Sequence, residues 1–117
     1  MDKLFLEEVI GRYKYPHHRG QDKGRRLSAK NISCGDDVTL YLKIENDLIK
    51  SAKFNGELCS IANYGADLLC KKLIGQKIAY IAKITSCELL NGFGDELLKN
   101  PVRLKCFELA QMALQKI

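Results

Sequence analysis

At 117 residues the chain is long enough for one modest hydrophobic core and too short for a second fold, so a single domain over residues 1–117 is expected. With 46% hydrophobic and 28% charged residues, its composition is that of an ordinary soluble protein, and its short apolar runs exclude a membrane-spanning helix. The formal net charge of +5 is spread thinly and comes with no recognisable nucleic-acid-binding module, so nucleic acid is not an expected partner.

The amino-terminal residues predict a short amphipathic helix and an intracellular location. Apolar residues recur at helical spacing over residues 3–13, with Asp2 as the N-cap, and Pro16 ends the helix because proline disfavours helical geometry in the residue before it. Acidic residues stand in residues 1–8 where a signal peptide would be basic and then apolar. We therefore expect a cytoplasmic protein with reduced thiols, and its odd number of cysteines, five, favours metal or sulfur chemistry over disulfides.

The densest basic stretch, residues 17–30, follows this helix. Glycine and charged residues over 20–26 predict a mobile loop. We interpret the stretch as a solvated loop, with docking to an acidic protein partner as the alternative. His17 and His18 lie in it with no carboxylate close by in sequence to orient them, so they are interpreted as surface or partner-contact residues rather than metal ligands.

Alternating apolar and polar residues predict an antiparallel sheet with one solvated face. The predicted strands cover residues 27–33, 38–45 and 48–55. The second is the clearest, and Asn46-Asp47 supplies a tight turn that brings the third back beside it, with Ala52 and Phe54 facing inward.

Helical periodicity predicts that helices follow the strands. The predicted helices cover residues 60–74, 77–90 (with weaker periodicity) and 101–117, and residues 91–95 are predicted to form a loop. Ser60 is the expected N-cap of the first helix and Gly75 follows its end, while Asn100-Pro101 is a typical helix start. Strands that precede helices indicate the α+β class, with a small antiparallel sheet of about three strands packed by several helices.

The segment from Asn31 to Asp37 places a thiol, Cys34, and a carboxylate, Asp36, two residues apart at a glycine turn just before the clearest strand. Side chains at the edge of a rigid strand are better placed to bind a metal than to pack in a core. Tetrahedral zinc or cluster iron needs about four ligands. Two further cysteines are candidate ligands by position: Cys59 lies just before a predicted helix, and Cys106 lies early in another. Because helix N-termini favour the thiolate, the pKa values of these two thiols should be depressed.

Simpler interpretations of the same residues stay open. Asp36 is also a typical turn residue that accepts hydrogen bonds from backbone amides. Free cysteine is among the most buried residue types, and Cys70, in mid-helix, and Cys87 are interpreted as structural. The cysteines form no C-x-x-C pair, which argues against a zinc finger and favours a site assembled by the tertiary fold.

Four motifs together resemble the iron–sulfur cluster assembly scaffolds of the IscU, NifU amino-terminal and SufU type. They are Tyr13-Lys14-Tyr15-Pro16-His17-His18-Arg19-Gly20, Cys34-Gly35-Asp36, Phe54-Asn55-Gly56-Glu57-Leu58-Cys59-Ser60-Ile61 and Pro101-Val102-Arg103-Leu104-Lys105-Cys106. They occur in the family's order and span nearly the whole chain, which makes the resemblance specific.

The resemblance implies an IscU/SufE-like fold and a scaffold or carrier protein rather than an enzyme. Such a protein receives persulfide sulfur from a cysteine desulfurase, assembles a [2Fe–2S] cluster and passes it to apo-proteins. Carried over to this chain, Cys34, Cys59 and Cys106 would be ligands and sulfur acceptors, Asp36 a ligand or a determinant of cluster lability, and zinc a further occupant of the same position.

Departures from the scaffold pattern leave a second function open. Lys105 stands where many scaffolds have histidine, as in the SufU-type branch, which binds zinc and relays sulfur; yet that branch's longer insertion between the second and third cysteines is absent. The alternative is thus a zinc-dependent sulfurtransferase in which Cys59 or Cys106 accepts the persulfide. Leu58 replaces a usual glycine, and residues 99–103 keep only part of the Leu-Pro-Pro-Val-Lys motif that dedicated chaperones recognise, which leaves a chaperone partner in doubt.

Overall fold

The computed structural model describes residues 3–91 and 94–117, and it places the strands in the first half and most helices in the second. In chain order the elements are α1 (Lys3–Lys14), β1 (Arg25–Asn31), β2 (Asp36–Glu45), β3 (Leu48–Asn55), α2 (Ser60–Leu73), α3 (Ile78–Ile81), α4 (Ser86–Leu90), α5 (Asp95–Leu98), α6 (Pro101–Phe107) and α7 (Leu109–Leu114). This arrangement confirms the α+β class. Asp2, the expected cap of the first helix, lies outside the described residues.

The sheet is antiparallel with the order β1-β2-β3, as the alternating pattern predicted. Asn46 and Asp47 both have positive φ, at 51° and 63°, which is the geometry of the two-residue turn that matches the twist of a hairpin. Leu40 pairs with Leu27 on one side and Phe54 on the other, forming a buried apolar row across the sheet. Helices α2 and α7 pack on the sheet.

The first strand differs from its predicted bounds of 27–33. It begins at Arg25 and ends at Asn31, because Cys34 and Gly35 donate their backbone N–H groups to the carbonyl of Asn31 and close a turn. Ile32 is 94% exposed as a result, so the predicted strand extended two residues too far toward the turn.

Residues 20–26, whose composition predicted a mobile loop, lie against the sheet, and the last two of them belong to β1. The carbonyl of His18 accepts the N–H of Phe54 at 3.0 Å, and the N–H of Gly20 donates to the carbonyl of Phe54 at 2.8 Å, so this segment lies along the outer edge of β3. The chain then reaches β2, where Asp22 pairs with Lys43 Nζ at 3.3 Å. These bonds hold the segment against the sheet.

Helix α2 lies at the centre of the molecule and packs against α1, β3, α6 and α7. Its N-cap is Cys59 rather than the predicted Ser60, because the sulfur of Cys59 accepts the N–H of Ala62 at 3.4 Å. Gly75 follows the helix with a φ of +88°, as expected for a glycine past a helix end. Gly65 permits close approach to α6, since a Cβ there would lie 2.1 Å from the carbonyl oxygen of Phe107.

The helices after α2 are shorter than predicted. The predicted helix over 77–90 is two short helices, α3 and α4, and Thr85 starts the second by accepting the N–H of Glu88 at 3.2 Å. Within the predicted loop over 91–95, residues 92 and 93 lie outside the described residues, and Asp95 opens the unpredicted α5.

The predicted terminal helix is interrupted near Glu108, which separates α6 from α7. Its start is as predicted, because the side chain of Asn100 accepts the N–H of Arg103 and Pro101 occupies the first turn. Among the described ranges, no helix has both the length and the apolar character that a membrane crossing requires.

Candidate metal centre

The turn between β1 and β2 presents the first thiol and carboxylate of the site. The carbonyl of Asn31 accepts N–H groups from Cys34 at 3.3 Å and Gly35 at 2.8 Å, and Gly35 has a φ of +78°, a conformation that favours glycine. Cys34 is exposed, and Asp36, the first residue of β2, is half-buried. The turn therefore places both side chains at one end of the sheet.

Helix α6 supplies the second thiol at the same end. Cys106 is half-buried, and its sulfur accepts a hydrogen bond from the side-chain amide of Asn31 at 3.8 Å. Asn31 itself is only 4% exposed, so it forms a buried link between the end of β1 and α6. Contact with a residue 75 positions away explains why this polar residue ends an otherwise alternating strand.

Three potential ligand atoms converge at this end. The sulfurs of Cys34 and Cys106 and a carboxylate oxygen of Asp36 all lie within 4.8 Å of one another. Sulfur atoms bound to one tetrahedral zinc at about 2.3 Å would lie about 3.8 Å apart. A small contraction of the observed group would thus give metal-binding distances.

Cys59 lies beside this group without belonging to it. Its backbone N–H donates to Asp36 at 3.3 Å, which ties the start of α2 to the site. Its sulfur, however, is engaged with the N–H of Ala62 in its own helix. The structure therefore brings together three of the four residues that the sequence singled out, and holds the fourth adjacent through Asp36.

The pKa values of two site thiols are raised, so the prediction that helix N-termini depress them is wrong. Although Cys59 is exposed overall, partial burial raises the pKa of its thiol, and the nearby carboxylate of Asp36 raises it further. The N–H of Ala62 lowers this pKa but does not cancel the rise. Burial and the neighbouring Cys59 and Cys34 raise the pKa of Cys106 to about 11. Cys106 also lies in the second turn of α6, beyond the reach of most of the helix-terminal field.

Asp36 has contacts that bear on both interpretations that the sequence left open. It contributes an oxygen to the converging group, and it also accepts the N–H of Cys59 as a turn-stabilising carboxylate does. Its neighbour Asp37 holds the same loop from the other side, since the backbone N–H of Asp37 donates to the carbonyl of Glu57 at 3.0 Å. The start of β2 therefore anchors the loop that carries Cys59.

A buried polar network behind the site escaped the sequence analysis. Asp67 is fully buried and accepts hydrogen bonds from Arg12 at 2.6 Å and from the backbone N–H of His18 at 2.8 Å. Asn63, 1% exposed, bonds to Arg19 at 3.1 Å and to the carbonyl of Arg12 at 3.2 Å. The sequence did contain a signal for this network, because Asn63 and Asp67 are polar residues four positions apart on a mostly apolar helix.

The remaining cysteines and histidines lie outside the converging group. Cys70 is fully buried, as a packing residue should be, whereas Cys87 is exposed on α4 and does not pack in the core. His17 is exposed and His18 half-buried, and the surface interpretation of His17 agrees with its exposure.

Comparisons with known proteins show which family the chain belongs to. The family model described as the NifU-like N terminal domain matches residues 4–117. The iron–sulfur cluster assembly scaffold protein IscU of Thermotoga maritima is 39% identical over 101 residues, which cover 74% of this chain and 71% of that protein. The zinc-dependent sulfurtransferase SufU of Bacillus subtilis is 31% identical over 133 aligned positions, covering 99% of this chain and 90% of that protein.

A solved structure shows the same fold at low identity. FiSufU of Fervidobacterium islandicum superposes with a TM-score of 0.76 at 23% identity, covering 99% of this chain and 94% of that one. The structure thus combines a three-stranded antiparallel sheet, a set of helices and a thiol–carboxylate group at one end. Sequence similarity at the family level extends over almost the entire chain. The chain belongs to the NifU-like N-terminal domain family, the iron–sulfur cluster assembly scaffolds of the IscU and SufU type.

Proposed function

We propose that the protein is a scaffold that accepts sulfur from a cysteine desulfurase, assembles a [2Fe–2S] cluster on Cys34, Cys59 and Cys106 beside Asp36, and passes it to apo-proteins. The observation that supports this most is the convergence of two thiols and a carboxylate within 4.8 Å, with a third thiol held next to them. The cluster is the cargo of this reaction. Its site is an exposed end of the molecule, from which an acceptor can take it.

The chemistry of the donor set suits a cargo that must leave. Thiolates are the usual protein ligands of iron–sulfur clusters. A carboxylate binds iron more weakly than a thiolate, so an Asp36 ligand would make the cluster easier to give away. For Cys59 to join the other thiols, its sulfur gives up the N–H of Ala62, a long bond of 3.4 Å to a weak acceptor.

The sulfur step involves no net oxidation or reduction. A thiolate of Cys59 or Cys106 attacks the terminal sulfur of the desulfurase persulfide; a new S–S bond forms on this chain, and the S–S bond of the donor breaks to leave the desulfurase thiolate. Conversion of that terminal sulfur to sulfide then needs two electrons, which a thiol reductant or a reduced electron carrier has to supply.

A second candidate is a zinc-dependent sulfurtransferase. The similarity to SufU over 99% of this chain and the presence of Lys105 before the third cysteine favour it. Three thiols and one carboxylate also form a complete tetrahedral donor set for zinc. When bound there, zinc would hold the thiols deprotonated; the chain's own part is to orient Cys34 and Cys106 and to keep Cys59 at the edge, where a persulfide donor can reach it.

The deciding experiment is metal and sulfide analysis of protein purified without oxygen or added metal, followed by reconstitution with iron, cysteine and a desulfurase. Visible absorption and transfer to an apo-ferredoxin would establish the scaffold. Stoichiometric zinc that iron and sulfide cannot displace would establish the sulfurtransferase instead. Cys106→Ser should abolish either outcome, and the matched control Cys87→Ser, which removes an exposed thiol outside the group, should leave it unchanged.

The proposed partners follow from this reaction. They are a cysteine desulfurase and cytoplasmic apo iron–sulfur proteins, with no part for nucleic acid or membrane, and the partial motif over residues 99–103 leaves a chaperone unassigned.

A further inference from the structure

Arg19 bridges the two sides of Cys59. Its guanidinium donates one hydrogen bond to the carbonyl of Gly56 at 2.5 Å and another to the side-chain carbonyl of Asn63 at 3.1 Å. Gly56 lies three residues before Cys59, and Asn63 lies four residues after it in the first turns of α2. A single side chain thus spans the loop that delivers this thiol.

That loop, residues 56–59, has little hydrophobic packing of its own. Glu57 and Cys59 are exposed, and Leu58 is only partly buried. Gly56 enters the loop with a φ of +141°, and a Cβ there would lie 2.1 Å from the carbonyl oxygen of Asp37. The loop's position is therefore set by hydrogen bonds and close backbone contact rather than by core burial.

Arg19 is itself well anchored. Its backbone neighbours bond to Phe54 on the edge of β3, and its guanidinium carbon lies 5.6 Å from the centre of the Phe54 ring. Asn63, its acceptor on α2, is buried and held by the carbonyl of Arg12. Two fixed elements, β3 and α2, are thereby connected across the Cys59 loop.

We propose that Arg19 is a positioning residue that fixes residues 56–59 and so determines where the Cys59 thiol lies relative to Cys34 and Cys106. Its consequence for cluster or zinc binding rests on the proposed function, but the positioning itself does not. Lysine in its place keeps the charge and lacks the planar fork that reaches both acceptors at once.

Hydrogen exchange of the reduced, metal-free protein tests the first part of this proposal. In Arg19→Ala and Arg19→Lys, amides of residues 57–62 should exchange about fivefold faster, the effect of losing one hydrogen bond of typical net strength, while those of α7 are unchanged. Arg26→Ala is the matched control, since Arg26 lies in β1, also 5.6 Å from an aromatic ring centre, that of Tyr41, and among the described residues it has no hydrogen bond to the loop. Unchanged exchange in both Arg19 variants would overturn the proposal.

Alkylation by iodoacetamide, followed residue by residue with mass spectrometry, tests the second part. In Arg19→Lys, which retains the positive charge, iodoacetamide should alkylate Cys59 about fivefold faster than in the parent, while the alkylation rate of Cys87 stays at the parental value. Parallel acceleration at Cys59 and Cys87 would show a general loss of stability and refute a positioning role. Because neither measurement uses metal, a parent that binds neither zinc nor a cluster would defeat the proposed function and leave this test standing.

Discussion

Asp67 and Arg12 form an ion pair of 2.6 Å that joins α1 to α2, and the Asp67 side chain is completely buried. Burial opposes the charge of Arg12, yet its hydrogen bonds to Glu8 and Asp67 outweigh burial and raise the pKa of the guanidinium. The second oxygen of Asp67 accepts the N–H of His18, so this carboxylate also holds the segment that leads to Arg19. Asp67 of α2 thus connects α1 to the segment that leads to Arg19.

Removing one member of the Arg12–Asp67 pair should lower the free energy of unfolding much more than removing both. Arg12→Met would leave Asp67 charged and unpaired, and should lower the free energy of unfolding by about 3 kcal/mol. Lys14→Met, at an exposed position of the same helix, should change it by less than about 0.5 kcal/mol. Urea denaturation measures both.

The double variant Arg12→Met/Asp67→Leu completes this experiment. With no unpaired charge in the core, it should recover most of the stability that Arg12→Met loses. A double variant no more stable than the single one would show that Asp67 is needed for its bond to His18 rather than for the ion pair.

Two helical glycines should respond in opposite directions to alanine. Gly65→Ala should destabilise the protein by about 1–3 kcal/mol, because the added Cβ would meet the Phe107 carbonyl at 2.1 Å. Gly11→Ala has nothing within 4 Å of the added Cβ and should stabilise by about 0.5–1 kcal/mol through helix propensity. Thermal unfolding of the two variants checks the pair; equal shifts would contradict the close helix packing.

Asp36 should set the lifetime of a bound cluster. If its carboxylate provides the weak ligand, Asp36→Ala should make a reconstituted cluster decay more slowly, as followed by visible absorption. Asp36→Asn should do the same while still able to accept the N–H of Cys59, which separates ligation from loop stabilisation. Asp37→Asn is the control carboxylate, and it should leave the decay rate unchanged.

Equal or faster decay in both Asp36 variants would show that Asp36 only shapes the turn. Slower decay in Asp36→Asn alone would show that the bond to Cys59 is also required to keep the cluster.

Asn31 should support metal binding through Cys106. Removal of its amide in Asn31→Ala takes away the N–H that reaches the Cys106 sulfur, and should weaken zinc binding by about tenfold, as loss of a hydrogen bond to a ligand commonly does. Competition with a chromophoric chelator measures the affinity. Ser33→Ala, at an exposed position of the same turn, should bind zinc like the parent, and an unchanged affinity in Asn31→Ala would rule out this support.

The sheet could be predicted because its determinants are local. Alternation over β2 and the Asn46-Asp47 turn act between neighbouring residues, and the structure agrees with both. The split into α3 and α4 was missed because the capping bond of Thr85 competes with a weak helical period. Local sequence patterns thus predicted where helices and strands occur better than they predicted where a helix is interrupted.

The site was predicted in part, and its departures arise from tertiary contacts. Nothing near Cys59 in sequence indicates that its sulfur caps α2, or that burial would outweigh the helix field on its pKa. The contact between Arg12 and Asp67 spans 55 residues, a separation at which sequence patterns carry little information. The residue types of the candidate ligands were visible in the sequence, whereas the orientation of their side chains depends on the assembled fold.

The pairing of Arg19 with Phe54 also bears on how the chain is made. Residues 18–20 leave the ribosome before β3, the edge that they cover, and before Asp67, which holds His18. Without this cover, the edge of β3 would offer open backbone groups to any neighbouring extended chain, which is a route to aggregation. The segment that covers this edge is held in part by Asp67 of the same helix that Cys59 caps, so protection of the edge and the position of the candidate site depend on one helix.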